Sequence, residues 1–212
     1  MFCMTADKAR PCKTFAVTSA KPSEGKSLTA ANIAISYAML GKRVLLVDAD
    51  MRKPTQRRLW KVRSTAGLCD YLAKIWQLEL AKVTELPLWI VCTGTIPPNP
   101  SELLSSDRMK SFVESCADYY DYVIIDTPPI NTVADAQIIS TFVDGVVLVA
   151  RSGNTTADEL NAATAAVRRA GGNLCGVVLN GLNMKSVKYA SKYKYGDKYG
   201  YRYSYSESYG AK

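Results

Sequence analysis

An α/β fold, three layers built around a mainly parallel central sheet, follows from three features of the sequence. Short runs rich in Val and Ile alternate with helical patterns from Thr14 to Gly181, several of these runs are apolar throughout, and carboxylates follow two of them directly. Alternating strand and helix units build parallel sheets, and a strand covered by helices on both faces has no polar side to show.

The elements are expected in this order. The first strand covers residues 14–18 and feeds a helix at 27–40, which Gly41 closes, because a left-handed C-cap is cheapest for glycine. The second strand, 43–47, reads Arg-Val-Leu-Leu-Val, and a helix at 67–76 precedes the third strand at 88–92. Ser101 and Glu102 open a helix at 101–116 after Pro98-Asn99-Pro100. Strands at 122–125, 145–150 and 175–179 then alternate with helices at 134–142 and 156–170.

At 212 residues and 48% hydrophobic composition the chain suits one globular domain, expected over 14–183, with a lead at 1–13 and a flexible tyrosine-rich tail at 184–212. The six cysteines (Cys3, Cys12, Cys69, Cys92, Cys116, Cys175) are scattered singly, unlike a zinc site or a disulfide framework, and read as buried thiols of a reducing cytosol. With no histidine, every Ser-His-Asp or Cys-His arrangement is excluded, so any catalysis rests on carboxylates, lysine and metal-bound phosphate. No stretch approaches the roughly 20 apolar residues of a membrane helix, so membrane association is expected through a partner or surface charge. Of the formal charge of +8, residues 183–212 contribute +5, which makes overall basicity weak support for a nucleic-acid groove in the folded body.

The segment Ala20-Lys21-Pro22-Ser23-Glu24-Gly25-Lys26-Ser27 lies between a strand and a helix and matches Gly-x-x-x-x-Gly-Lys-Ser, with alanine at the first glycine. Backbone N–H groups of such a loop wrap phosphates at a helix N-terminus, Lys26 reaches the β and γ phosphates, and the Ser27 hydroxyl ligates Mg²⁺. Asp48 and Asp50 follow the next strand two residues apart, a spacing that turns both side chains to one side in extended chain. For Asp48 alone, capping a helix is the plainer role. Asp126 ends a further apolar strand and continues into Thr127-Pro128-Pro129, as in a Walker B element. Three acids, a lysine and a serine are therefore expected to converge on Mg-ATP.

On these residues, together with Gly94-Thr95-Ile96-Pro97-Pro98-Asn99-Pro100-Ser101-Glu102-Leu103-Leu104 and a C-terminal tyrosine cluster, the sequence resembles the bacterial tyrosine kinases of capsule and exopolysaccharide synthesis, P-loop NTPases unrelated to eukaryotic protein kinases. The resemblance implies catalytic roles for Lys26, Asp48, Asp50 and Arg52, with Asp50 nearest the incoming tyrosine hydroxyl and Arg52 steadying the nucleotide or a neighbouring subunit. It implies nucleotide contacts from Ser23, Glu24, Gly25, Lys26, Ser27 and Leu28, with Asn180 meeting the adenine, and metal support from Ser27, Asp48 and Asp126. Asn180 before Gly181 is equally well read as a turn residue. The resemblance further implies ATP and Mg²⁺ as cofactors, homo-oligomerisation, and a cytoplasmic position at the inner membrane face beside a membrane-spanning activator of the chain-length-determinant type. Tyrosine phosphatase and polysaccharide-synthesis proteins would complete the partners. Family members carry a ring-assembling Glu-x-x-Arg-x-x-Arg-Thr pattern before the P-loop, and residues 1–13 do not contain it.

Eight tyrosines (Tyr189, Tyr193, Tyr195, Tyr199, Tyr201, Tyr203, Tyr205, Tyr209) in the tail suit an autophosphorylation substrate. Each phosphate would add −1.5 to −2 charges and reverse the sign of the tail after several additions. Basic residues interleaved with aromatics also suit single-stranded nucleic acid, but behind a kinase-like site no specific nucleic-acid partner is expected. The main competing function is a partition-type or septum-placement ATPase that toggles a dimer on a surface. Lys21, where such ATPases keep a signature lysine, slightly favours that reading, and Glu24 with the tyrosine tail favours the kinase.

Overall fold

The computed structural model describes residues 12–182. The chain divides into two compact units, Met1–Asn180 and Gly181–Lys212, and every described element belongs to the first. Seven strands, β1 (Thr14–Ser19), β2 (Val44–Asp48), β3 (Ala81–Lys82), β4 (Leu88–Val91), β5 (Tyr122–Asp126), β6 (Gly145–Arg151) and β7 (Leu174–Asn180), form one sheet in the order β3-β4-β2-β5-β1-β6-β7. All neighbours are parallel except β3, which pairs antiparallel with β4 at the edge. All six expected strands are present. The expected tail and its tyrosines lie outside the described residues.

Both faces of the sheet are covered, which is why strand polarity does not alternate. Val44 and Leu46 of β2 pack with Phe15, Val17 and Ile124 beneath α1 (Lys26–Met39), while Leu45 and Val47 pack on the opposite side. Helix α1 meets the sheet through Ala30, Ala34 and Ala38, a one-sided row of small side chains at spacings of four that brings the helix backbone close to the strands. The other face is closed by α5 (Asp107–Tyr119) through Met109, Phe112 and Val113, by α6 (Asp135–Ser140) through Ala136 and Ile139, and by α7 (Ala157–Arg169) through Ala163 and Val167. Each such side chain, fully buried, contributes about 1.5–3 kcal/mol when it is as large as Val, Leu or Phe.

Several helices depart from expectation. The helix expected at 101–116 is two, α4 (Pro100–Ser105) and α5, because Ser106 leaves the helical region (φ −66°, ψ 149°) and its hydroxyl accepts the Met109 N–H at 3.2 Å. A serine that caps a new helix outcompetes continuation of the old one. The helix expected at 67–76 shrinks to α3 (Leu68–Leu72); Lys74 turns left-handed (φ 60°), and the exposed Ile75 and Trp76 have no burial to hold a further turn. A short α2 (Gln56–Leu59) was not expected. The expectation of uniformly buried thiols fails at two sites: Cys69, Cys92 and Cys116 are buried, but Cys12 is half-buried and Cys175 is exposed. Cys175 sits at the register shift between Val146 and Val147 of β6, where β7 carries one residue more than its neighbour.

Candidate functional site

The acids converge because register brings their strands level. In the paired strands β2 and β5, Asp48 lies directly opposite Asp126, and Val17 of β1 lies opposite Asp126 on its other side. All three strands point their C-terminal ends the same way, into the crevice where open α/β sheets hold ligands.

Between β1 and α1 the loop turns on two left-handed residues, Ser23 (φ 66°) and Gly25 (φ 93°). Its shape is pinned from several sides. The fully buried Glu24 carboxylate accepts the Lys21 N–H at 3.0 Å and the Thr155 hydroxyl, while Arg151 donates to the Ser23 carbonyl at 3.0 Å. Asn180 Nδ2 donates to the Glu24 carbonyl at 3.0 Å, so close to Gly25 that a β-carbon there would fall 2.1 Å from that nitrogen. Gly25 caps α1, whose first N–H groups have no carbonyl a turn earlier to bond and so form an anion site. Leu28, one turn in, is exposed.

Lys26 is buried at the head of this helix. Its ammonium donates to Asp50 Oδ2 at 2.7 Å and to Ser27 Oγ at 3.1 Å, and stands 3.6 Å from Asp126 Oδ1. Burial works against its charge, but Asp126, Asp50 and Asp48 together outweigh it and hold its pKa above the ordinary lysine value. The carboxylates bear the opposite strain. Burial, reinforced by Asp126, pushes Asp48 up to about 7; burial also raises Asp126, against the pull of Lys26 and hydrogen bonds from Ser27 and Gln56.

These side chains fit a hard divalent cation. Asp48 Oδ1 and Asp126 Oδ1 are both buried without a hydrogen-bond partner, and among the described residues only Asp126 Oδ1 has a positive group near it, the Lys26 ammonium at 3.6 Å, so the pair costs free energy that a cation would offset. Carboxylate and hydroxyl oxygens are the donors that Mg²⁺ takes, alongside water and substrate phosphate.

Most of the residues singled out from the sequence fall into two sets. Lys26, Ser27, Asp48, Asp50 and Asp126 come together; Ser23, Glu24, Gly25 and Asn180 form the loop and its support. Arg52 instead pairs with the fully buried Asp135 at 2.8 Å and also reaches Ser101 at 3.2 Å, tying the segment after β2 to α6 and α4. Lys21 bonds Glu159 of α7 at 2.9 Å. Sequence reasoning missed Gln56, fully buried between Ser27 and Asp126, and Thr93, whose hydroxyl donates to the Asp48 carbonyl at 2.9 Å. Neither belongs to a motif; Gln56 sits in a strongly basic stretch that reads as surface.

Loop, helix and acidic strand ends together define a P-loop NTPase. The ParA family model, described as NUBPL iron-transfer P-loop NTPase, matches residues 11–206. "Tyrosine-protein kinase YwqD" of Bacillus subtilis is 44% identical over 88% of this chain and 78% of its own length. "Putative tyrosine-protein kinase CapB" of Staphylococcus aureus is 37% identical over 91% and 84%. The solved kinase domain of Escherichia coli tyrosine kinase ETK superposes with a TM-score of 0.78 at 36% identity, over 81% of this chain and 68% of that one. The cell division ATPase MinD of Pyrococcus furiosus reaches a TM-score of 0.67 at 21% identity over 79% and 71%, a likeness of fold alone. The chain belongs to the bacterial tyrosine-protein kinases, a branch of the ParA-type P-loop NTPases.

Proposed function

We propose that this protein transfers the γ-phosphoryl group of Mg-ATP to tyrosine hydroxyls, above all to its own C-terminal cluster from Tyr189 to Tyr209. The observation that carries the reading is the buried Lys26, held by Asp50 and 3.6 Å from Asp126 Oδ1, beside an Asp48 whose Oδ1 is buried without a hydrogen-bond partner. Such a site neutralises and positions phosphate, which is most of what phosphoryl transfer through a loose transition state requires.

In this mechanism Ser27, Asp48 and Asp126 would hold Mg²⁺, and the ion would supply charge neutralisation for the phosphate oxygens. Gly25 and its neighbours present backbone N–H groups to the phosphates, and Asn180, which braces the loop through the Glu24 carbonyl, would meet the adenine. Lys26 exchanges its bond to Asp50 for a γ-phosphate oxygen. That exchange frees the Asp50 carboxylate to accept the proton of the tyrosine hydroxyl as its oxygen bonds phosphorus and the bond to ADP breaks. A tyrosine with a pKa of about 10 is not ionised at neutral pH, so a nearby proton acceptor has a task.

The further setting also belongs to this proposal. The kinase acts in control of capsule or exopolysaccharide synthesis, at the inner face of the membrane, with a membrane-spanning activator, other copies of itself and a tyrosine phosphatase. Among the described residues no helix is long and apolar enough to cross a membrane, consistent with attachment through a partner. Lys21, the one residue that favours the partition-type alternative, pairs at the surface with Glu159 of its own chain, a bond weak enough to exchange. Purified protein incubated with Mg-ATP, with and without the cytoplasmic segment of a candidate activator, and mapped by mass spectrometry tests the reading. Phosphotyrosine in the tail that vanishes in Lys26→Met is expected; ATP hydrolysis without phosphotyrosine would select the switch ATPase.

A further inference from the structure

Gln56 reaches the phosphate site through both its main chain and its side chain, and its contacts are directional. Its backbone N–H donates to Asp48 Oδ2 at 2.8 Å, next to a second bond from the Thr55 N–H at 3.0 Å. Its side-chain Nε2 donates both to Asp126 Oδ2 and to the Ser27 carbonyl, each at 2.9 Å. Its Oε1 accepts from Trp60 Nε1 at 3.1 Å. Indole nitrogen can only donate, so the Trp60 bond fixes which end of the amide is oxygen and directs both amide hydrogens into the site. The side chain is wholly buried, and these bonds occupy both amide hydrogens and the amide oxygen.

The consequence falls on the two carboxylates that face each other across β2 and β5. Gln56 occupies Oδ2 of Asp48 with its main chain and Oδ2 of Asp126 with its side chain, and in each case the Oδ1 atom is the one left buried without a hydrogen bond. One residue thus holds the Oδ2 atom of both acids and leaves the Oδ1 atoms without hydrogen bonds, that of Asp126 facing the Lys26 ammonium at 3.6 Å. The bond to the Ser27 carbonyl ties the residue that bears the third candidate ligand into the same clamp. A neutral amide suits this task better than a charged residue. A second lysine beside Lys26 would compete with the cation for the Oδ1 atoms, and a carboxylate would add a like charge to a pair that already repels.

We propose that Gln56 is the positioning residue of the cation site, a double clamp that presents Asp48 Oδ1 and Asp126 Oδ1 to Mg²⁺ and, through Trp60, keeps the amide from turning over. The inference rests on the Mg-ATP reading of this site. It differs from that reading in assigning the metal's orientation to a residue outside every phosphate-binding motif, supported in turn by an indole on the turn that follows.

The test is titration of the full chain with a fluorescent ATP analogue, once in EDTA and once across a Mg²⁺ series, for wild type, Gln56→Met and Trp60→Phe. Met keeps the length of the side chain without its donors. Loss of an outer-shell partner weakens metal binding about 10- to 100-fold, so Gln56→Met should raise the Mg²⁺ concentration for half-maximal tightening by that factor, with the loss falling on the Mg²⁺-dependent part of binding. Trp60→Phe, which retains an aromatic ring but frees the amide, should move the same quantity in the same direction by a smaller factor. Equal weakening with and without Mg²⁺ would mark a merely structural role and overturn the proposal, as would half-saturation within twofold of wild type in both variants. Should Gln56→Met fail to fold, Trp60→Phe alone decides between these outcomes. A wild-type chain that binds the analogue equally well in EDTA and Mg²⁺ would instead refute the Mg-ATP reading, and the clamp with it.

Discussion

Replacing Gly25 by alanine probes the joint between the phosphate loop and the last strand, and the structure sets its cost. Gly25 holds φ at +93°, a left-handed conformation that costs a residue with a β-carbon about 1–2 kcal/mol. The new carbon would also fall 2.1 Å from Asn180 Nδ2, forcing that side chain away and breaking its 3.0 Å bond to the Glu24 carbonyl. A bond of this kind contributes about 0.5–1.5 kcal/mol. Gly25→Ala should therefore destabilise the nucleotide-free protein by roughly 1.5–3.5 kcal/mol, the sum of the strain and the bond. Asn180→Ala alone should cost at least the bond, about 0.5–1.5 kcal/mol. In the double variant the bond is already lost, so the combined cost should fall short of the sum of the singles by about 0.5–1.5 kcal/mol. Urea unfolding of the four proteins measures this directly. Strict additivity, or a Gly25→Ala variant as stable as wild type, would refute the steric argument.

Asp50→Asn should lower the initial rate of tyrosine phosphorylation by about 10²- to 10⁴-fold, the range for a lost general base, measured beside Mg-ATP binding; an unchanged rate would remove Asp50 from the proton path. Arg52→Ala strands Asp135 Oδ2 in a buried position and should cost about 1–3 kcal/mol in urea unfolding, held to that range because Arg52 is itself well exposed. Full stability with lost activity would instead place Arg52 in phosphoryl transfer. Alkylation near neutral pH should label Cys175 ahead of the buried thiols: a hydrogen bond with Cys12 draws it down to about 7, whereas burial pushes Cys92 up to about 11 and Cys69 and Cys116 up to about 12. Its labelling rate should rise as pH passes 7, read by peptide mapping. Earlier labelling of Cys69 or Cys116 would contradict the packing.

The strands were legible because a continuous Val and Ile run bounded by turn residues fits a strand of a helix-covered sheet and little else, and the acids were legible because they stand where such runs stop. The edge strand Ala81–Lys82 carries no such signal and exists only through its pairing with β4. At 101–116 the apolar pattern carries on across Ser106, and the local cap decided the break, which periodicity cannot register. Asp48 takes up its plainer role with one oxygen only: Oδ2 accepts the N–H groups that open α2, while Oδ1 is buried without a hydrogen-bond partner. Asn180 ends β7 as a turn residue would, yet its amide braces the phosphate loop. Gln56 was illegible for a physical reason. A glutamine flanked by Arg52, Lys53, Arg57 and Arg58 looks solvated, and only the fold of α2 back against β2 and β5 buries it.

The central claim, that this site moves phosphate onto tyrosine, is tested most directly by mass spectrometry of the C-terminal peptides after incubation with Mg-ATP and a candidate activator. The account predicts phosphate on the tyrosines between Tyr189 and Tyr209 in wild type and none in Lys26→Met. ATP turnover that leaves every tyrosine unmodified, with the activator as without it, would contradict it.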